Sequence, residues 1–287
     1  MVRNSREINP TRCRITTEVN NMYQFAYEKP QDLADALSLL ASDEAQALSG
    51  GQTLIPTLKQ RLAAPATLVD LKDVHGLSGI THEHHHVCVG ATTRHVEVET
   101  SDIMHKLIPA VSELAGNIGD AQVRRRGTIG GSVANNDPAA CYPSAALALK
   151  ARIHTSKRII DADEFFVGLF MTALEEGEII TRVDFKIPEK AKYIKFPHPA
   201  SRYAMTGVFV AKFADGDGVR VAYTGANENG VTRHHGLEQA LNADFSIASV
   251  EGVEVSDEGL MSDIHASAAY RANLIKVLTK RAVASLV

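Results

Sequence analysis

The chain has 287 residues, 30 Lys and Arg, 34 Asp and Glu, and a formal net charge of −4. With 45% apolar and 22% charged residues it excludes bulk disorder, and the mild acidity argues against a nucleic-acid partner. No run approaches the roughly 18 apolar residues of a membrane span, and at roughly 150 residues per domain the length suggests two domains.

Residues 1–21 are Arg- and Asn-rich, lack the apolar core of a secretory signal, and precede a second methionine, Met22. They read as a mobile extension or as upstream sequence, and the expected compartment is the cytoplasm. After Pro30, the spacing of Leu33, Ala36, Leu37 and Leu40 predicts a helix. Ala45 to Leu48 reads as a strand entering the turn Ser49-Gly50-Gly51, followed by a helix over Leu54 to Leu62. Thr67 to Leu71 predicts a strand. Leu77–Ile80 and Val87–Val89 predict two arms of a hairpin with a His-rich tip. Asp102 to Ala115 is helical, with Pro109 either interrupting it or opening a new segment. Gly127 to Gly131 predicts a second glycine loop, and Pro143 to Leu149 a helix after it. Ile179, Val183, Phe185 and Ile187 fall at period two and predict a strand with one buried face. Val208–Phe213 and Val219–Tyr223 are further strands, joined by the turn string Asp215-Gly216-Asp217-Gly218. Tyr270, Leu274, Val277, Leu278 and Arg281 predict a C-terminal helix. A boundary near Pro188–Lys192 divides residues 22–188 from 189–287. The fold class read from these elements is α+β.

Cys13, Cys88 and Cys141 are far apart and form no C-x-x-C. That predicts neither a disulfide framework nor an iron–sulfur or zinc site made by this chain alone. His82-Glu83-His84-His85-His86 would place three imidazoles on one face if extended, but lacks a matching ligand cluster apart from His234-His235, so a solvated turn is the better reading. Arg124-Arg125-Arg126 reads as a solvated face or subunit contact, with Arg124 able to help orient a ligand at the second glycine string.

Two strings carry the chemistry. The first is Leu48-Ser49-Gly50-Gly51-Gln52-Thr53-Leu54-Ile55-Pro56; the second is Gly127-Thr128-Ile129-Gly130-Gly131-Ser132. Paired glycines let a backbone approach a ligand closely and present successive N–H groups, which suits phosphate oxygens, and Thr53, Thr128 and Ser132 add hydroxyls. Two such strings can hold a pyrophosphate between them. Neither G-x-x-x-x-G-K-[ST] nor a strand followed by G-x-G-x-x-G is present, so P-loop and Rossmann sites are unsupported. A lone Gly-Gly is most often a tight turn; the pair is the informative feature.

In this order, S-G-G-Q-T-L-I-P and Q-V-R-x-R-G-T-I-G-G-S resemble the FAD-binding medium subunit of molybdenum hydroxylases, the aerobic carbon monoxide dehydrogenase and bacterial xanthine dehydrogenase type. The likeness runs from Met22-Tyr23 to the C-terminus and includes Leu68-Val69-Asp70-Leu71, Gly90-Ala91-Thr92-Thr93, Gly177-Glu178-Ile179-Ile180, Ala269-Tyr270-Arg271 and Arg281-Ala282-Val283. The resemblance implies an FAD-binding domain of two α+β subdomains, followed by a small C-terminal sheet-and-helix flavoprotein domain. It implies that Ser49 to Thr53 and Thr128 to Ser132 wrap the pyrophosphate and ribityl chain. Leu48 and Leu54 flank the first string. Ile118, Ile180 and Lys195 match positions near flavin or adenine, with Thr93 and Asp137 as further cofactor contacts. It also implies electron transfer without a catalytic residue in this chain: a large subunit carries molybdopterin, a small one carries two [2Fe–2S] clusters, and FAD passes electrons to an acceptor. The implied assembly is a dimer of heterotrimers. One departure stands out, since relatives usually have Asp where this chain has Cys141; weaker FAD retention is expected, offset by Asp137. The other readings are a stand-alone flavin oxidoreductase and a partner-binding protein that has lost its flavin. The organic substrate and the acceptor (oxygen, NAD or a quinone) are not encoded in these motifs.

Overall fold

The computed structural model describes residues 22–214 and 216–287; the expected extension 1–21, Cys13, and Asp215 of the turn string lie outside the described residues. Three short parallel strands come first: β1 (Ala26–Glu28), β2 (Ala45–Leu48) and β3 (Thr67–Asp70), in the order β1-β3-β2. Parallel neighbours need crossovers, and helices α1 (Leu33–Leu40) and α2 (Leu54–Lys59) lie in them. Asp32 caps α1 by accepting from the Asp35 N–H, while Ala36 and Leu40 bury its apolar face against Val69 and Leu71.

The second layer is a five-stranded sheet. It contains β4 (Ile80–Glu83), β5 (His86–Gly90), β6 (Arg152–Thr155), β7 (Ile159–Asp161) and, after the small hairpin β8 (Phe166–Gly168) and β9 (Met171–Thr172), β10 (Ile180–Lys186). Its order is β4-β5-β10-β6-β7. The predicted hairpin is real but its first arm sits three residues later, so His82 lies on β4 and only His84 and His85 form the turn, His84 at φ 53°. In β10 the register shifts between Ile180 and Arg182. This irregularity breaks the expected alternation: Ile180, Val183 and Phe185 join the main core, and Ile179 packs in the neighbouring one.

Between β5 and β6 come α3 (His95–Glu99), α4 (Asp102–Leu107), α5 (Pro109–Gly116), α6 (Ala121–Arg124), α7 (Ile129–Asn135) and α8 (Tyr142–Ala148); α4 and α7 pack on this sheet, while α5 and α8 reach strands further along the chain. Pro109 opens α5 rather than interrupting one helix, since proline suits a first turn and keeps the preceding Ile108 (φ −143°, ψ 66°) out of the helical conformation. The second glycine string is not a loop: Ile129, Gly130 and Gly131 form the first turn of α7, capped by Thr128. Fully buried Met104, Ile108, Leu114, Tyr142, Phe165 and Phe185 make the main core, each worth about 1.5–3 kcal/mol of transfer free energy.

After α9 (Ala162–Phe165) and β10, a four-stranded antiparallel sheet runs β11 (Lys190–Pro197), β12 (Ala204–Lys212), β13 (Val219–Thr224) and β14 (Thr232–Arg233). Helices α10 (His235–Ala243), α11 (Ile247–Glu251) and α12 (Ala268–Ala284) complete it. The buried stripe of α12 is Arg271, Leu274, Ile275, Leu278 and Ala282; Tyr270 is exposed, so the expected stripe is rotated by about one position. The chain is α+β throughout. Among the described residues, no helix is long and apolar enough to cross a membrane.

Candidate functional site

The two glycine strings meet. The Ser49 and Thr128 hydroxyls are hydrogen-bonded at 2.8 Å, although 79 positions separate them. Gly50 allows this approach: a Cβ there would lie 2.3 Å from the Arg126 carbonyl oxygen and 2.6 Å from Gly127 Cα. Gly130 lies as tightly against Ala91, where a Cβ would stand 2.7 Å from its carbonyl oxygen. Gly51 has φ +70°, a region that an L side chain adopts only with strain. Among the described residues, the backbone N–H groups of Gly51, Gln52 and Thr53 donate to no acceptor of the chain. They are therefore available to a ligand.

A cleft of about 870 Å³ opens at this meeting point, within the size range of cofactor sites. Leu48, Ser49, Gly50, Gly51, Gln52, Thr53, Leu54, Ile118, Thr128, Gly130, Gly131, Ser132, Asp137, Ile180 and Lys195 all line it. Two expected residues do not. Ile129 is fully buried in the main core, and its N–H donates to the Thr93 carbonyl at 3.0 Å. Thr93 is buried with its hydroxyl engaged by the Gly79 N–H and carbonyl. Their positions support the walls of the cleft from behind.

The structure adds residues that the motifs did not single out. His95 lines the cleft beneath Gly127, is 4% exposed, and packs against Tyr142 with ring centroids 5.4 Å apart and the rings tilted. Burial, helped by the Arg124 charge, holds its pKa down at about 4, so the imidazole is neutral. Its Nδ1 is buried without a partner. Arg124 is itself tied to Glu99 at 2.7 Å and to the Ile118 carbonyl, which makes it a brace for the segment ahead of Thr128. At the other side of the cleft stand Cys141, Lys195 and the β11–β12 turn with Ser201, Arg202 and Tyr203. Burial pushes the Cys141 thiol up, against the pull of Lys195, whose Nζ is 3.8 Å away. The acids of the lining have local tasks. Asp120 caps α6, Asp137 accepts from the Ala139 N–H, and Glu178 holds Arg158 and Thr155. The His-rich turn is remote from this lining, and among the described residues no group of three or more His, Cys, Asp or Glu is placed to hold a metal ion.

These features fit FAD. Close-packed glycines with open N–H groups and hydroxyls suit a diphosphate, and Leu48, Leu54, Ile118 and Ile180 offer apolar surface for planar rings. Residues 23–189 match the family described as FAD binding domain in molybdopterin dehydrogenase. The chain belongs to this family. The nicotine 6-hydroxylase medium subunit of Paenarthrobacter nicotinovorans is 34% identical over 274 residues, covering 90% of this chain and 95% of that one. Reconstituted CO dehydrogenase from Oligotropha carboxidovorans contains a chain that superposes with a TM-score of 0.85 at 29% identity, covering 92% of this chain and 98% of that one. Quinoline 2-oxidoreductase from Pseudomonas putida 86 gives 0.83 at 29% identity, covering 93% and 98%. This molybdopterin dehydrogenase relative is accordingly an FAD-binding medium subunit, an oxidoreductase of the molybdenum hydroxylase type.

Proposed function

We propose that this subunit takes electrons from [2Fe–2S] clusters of a small partner and delivers them to an external acceptor. The large partner would carry molybdopterin and act on the organic substrate, in a cytoplasmic dimer of heterotrimers. Residues 22–188 would form the FAD-binding domain and 189–287 the smaller flavoprotein domain. The observation that carries the reading is the Ser49–Thr128 junction, which makes one cleft from two glycine strings. Bound FAD would supply the electron-transfer chemistry. The Gly51, Gln52 and Thr53 N–H groups and the Ser49, Thr128 and Ser132 hydroxyls would bind its diphosphate and ribityl chain. Leu48, Leu54, Ile118 and Ile180 would flank its rings, and Lys195 and Asp137 would provide charge and hydrogen bonding at the far side.

The titratable groups of the lining support a role without bond-breaking by the protein, because Asp120, Asp137 and Glu178 already serve local hydrogen bonds and His95 is neutral. Co-expression of the full chain with candidate large and small subunits tests the proposal. Equimolar co-purification with iron and molybdenum, and flavin reduction by the organic substrate only when the iron–sulfur subunit is present, is the expected result. A flavin-loaded chain that turns over a substrate without partners would favour the stand-alone oxidoreductase. A folded chain that takes up no flavin would favour the partner-binding reading.

A further inference from the structure

We propose that Lys195, held against the Cys141 thiol and left without a carboxylate, is the cation that raises the reduction potential of the bound flavin. This rests on the FAD reading of the cleft given above.

Tyr193 and Lys195 stand two apart on β11 and therefore on the same face of the strand. The Lys195 ammonium donates to the Asn117 carbonyl oxygen and lies 3.8 Å from Cys141 Sγ. An ammonium has three donors, so these contacts leave one for a ligand in the cleft that Lys195 lines. Three residues earlier on the same strand the pattern differs, since Lys192 pairs with Glu113 at 2.6 Å. Among the described residues, Lys195 has no such acid.

The groups around it do not cancel its charge. Cys141 is 5% exposed, and its burial keeps the thiol protonated. The Tyr193 hydroxyl is buried beside that thiol, and burial pushes its pKa well up, so it too is neutral. Asp137, the acid of the lining whose charge reaches the thiol, accepts the Ala139 N–H and, among the described residues, forms no ion pair with the ammonium. The cation thus faces a thiol, a phenol and a peptide carbonyl. A fixed positive charge in a partly desolvated cleft stabilises the form of a bound ring that carries added negative charge, which is the reduced form. The neutral thiol is what leaves that charge in force.

The test is the midpoint potential of FAD on the full-length chain, measured by equilibration with reference dyes. Cys141→Asp sets a carboxylate beside the ammonium and should lower the potential by at least a tenfold shift of the two-electron equilibrium, about 30 mV. Lys195→Met should lower it comparably, and answers the question if the buried aspartate prevents folding. Cys141→Ala keeps the cation and should leave the equilibrium within about twofold of wild type. A merely structural role for the pair would move stability but not this ordering of potentials. If all the variants bind FAD at the wild-type potential, the inference is overturned and the cofactor assignment stands. If the wild-type chain takes up no FAD, the cofactor assignment fails and the inference fails with it.

Discussion

Replacing Gly50 by alanine probes the junction of the two strings. The new Cβ would lie 2.3 Å from the Arg126 carbonyl oxygen, 2.6 Å from Gly127 Cα and 2.9 Å from the Arg126 carbonyl carbon. Ordinary carbon contacts are about 3.5–4.0 Å, so the strings must part by roughly 1 Å. Both sides are backbone, and no flexible side chain can yield. Overpacking of this kind costs about 1–3 kcal/mol. Separation also breaks the Ser49–Thr128 bond, worth about 1 kcal/mol net. At about 2–4 °C per kcal/mol, the melting temperature of the chain without ligand should fall by at least about 4 °C. Affinity for FAD, followed by quenching of its fluorescence, should drop at least about tenfold, the equivalent of 1.4 kcal/mol. Gly252→Ala is the control: its Cβ meets Ser249 and Ala248 carbonyl oxygens at ordinary distances of 3.6 and 3.8 Å, and should cost less than about 0.5 kcal/mol. Wild-type melting and wild-type FAD affinity in Gly50→Ala would refute the reasoning, because the junction would then not be the cradle.

Thr128→Val removes both the link to Ser49 and the cap on the Gly131 N–H at 3.2 Å; thermal unfolding should register a loss of about 1–2 kcal/mol, with Thr128→Ser retaining most of the stability. His95 stays neutral in the fold down to about pH 4, whereas in the unfolded chain it titrates near 6.5. As pH falls through 6.5 the unfolded state gains a proton that the folded state does not, so this group's contribution is full above 6.5 and declines by about 3 kcal/mol on reaching pH 4. Urea titrations across that window should show a flatter profile in His95→Gln, and an unchanged slope would rule the assignment out. Arg271→Met leaves the buried Met205 and Gly225 carbonyls without donors now at 2.6 and 2.7 Å; denaturant unfolding should show a loss of about 2–4 kcal/mol with an unchanged m-value.

The strongest local signals were readable from the residues. The Leu33, Ala36, Leu37 and Leu40 spacing, Pro109 and the Ala45–Leu48 and Thr67–Asp70 apolar segments mark elements that form close to where their chemistry places them. The glycine strings were readable as a pair, but not their geometry: Gly-Gly after Thr128 suggests a turn, whereas burial of Ile129 and capping of the Gly131 N–H make it a helix start. Thr93 and Ile129 stand behind the lining, because neither a motif nor a resemblance says which way a side chain faces. β11 was missed because Lys190, Ala191 and Lys192 resemble a linker; pairing with β12 makes them a strand. His95 gave no signal of its own, since its character comes from Tyr142 and Gly127, 47 and 32 positions away by their numbers. The β11–β12 turn entered the lining only through sheet topology, which no periodicity reveals.

Flavin content of the purified full-length chain, together with titration of the stripped chain with FAD, tests whether the cleft holds this cofactor. The expected result is flavin absorption, release of about one FAD per chain on denaturation, and saturable uptake at the same ratio. A folded chain that is colourless and takes up no FAD would contradict it.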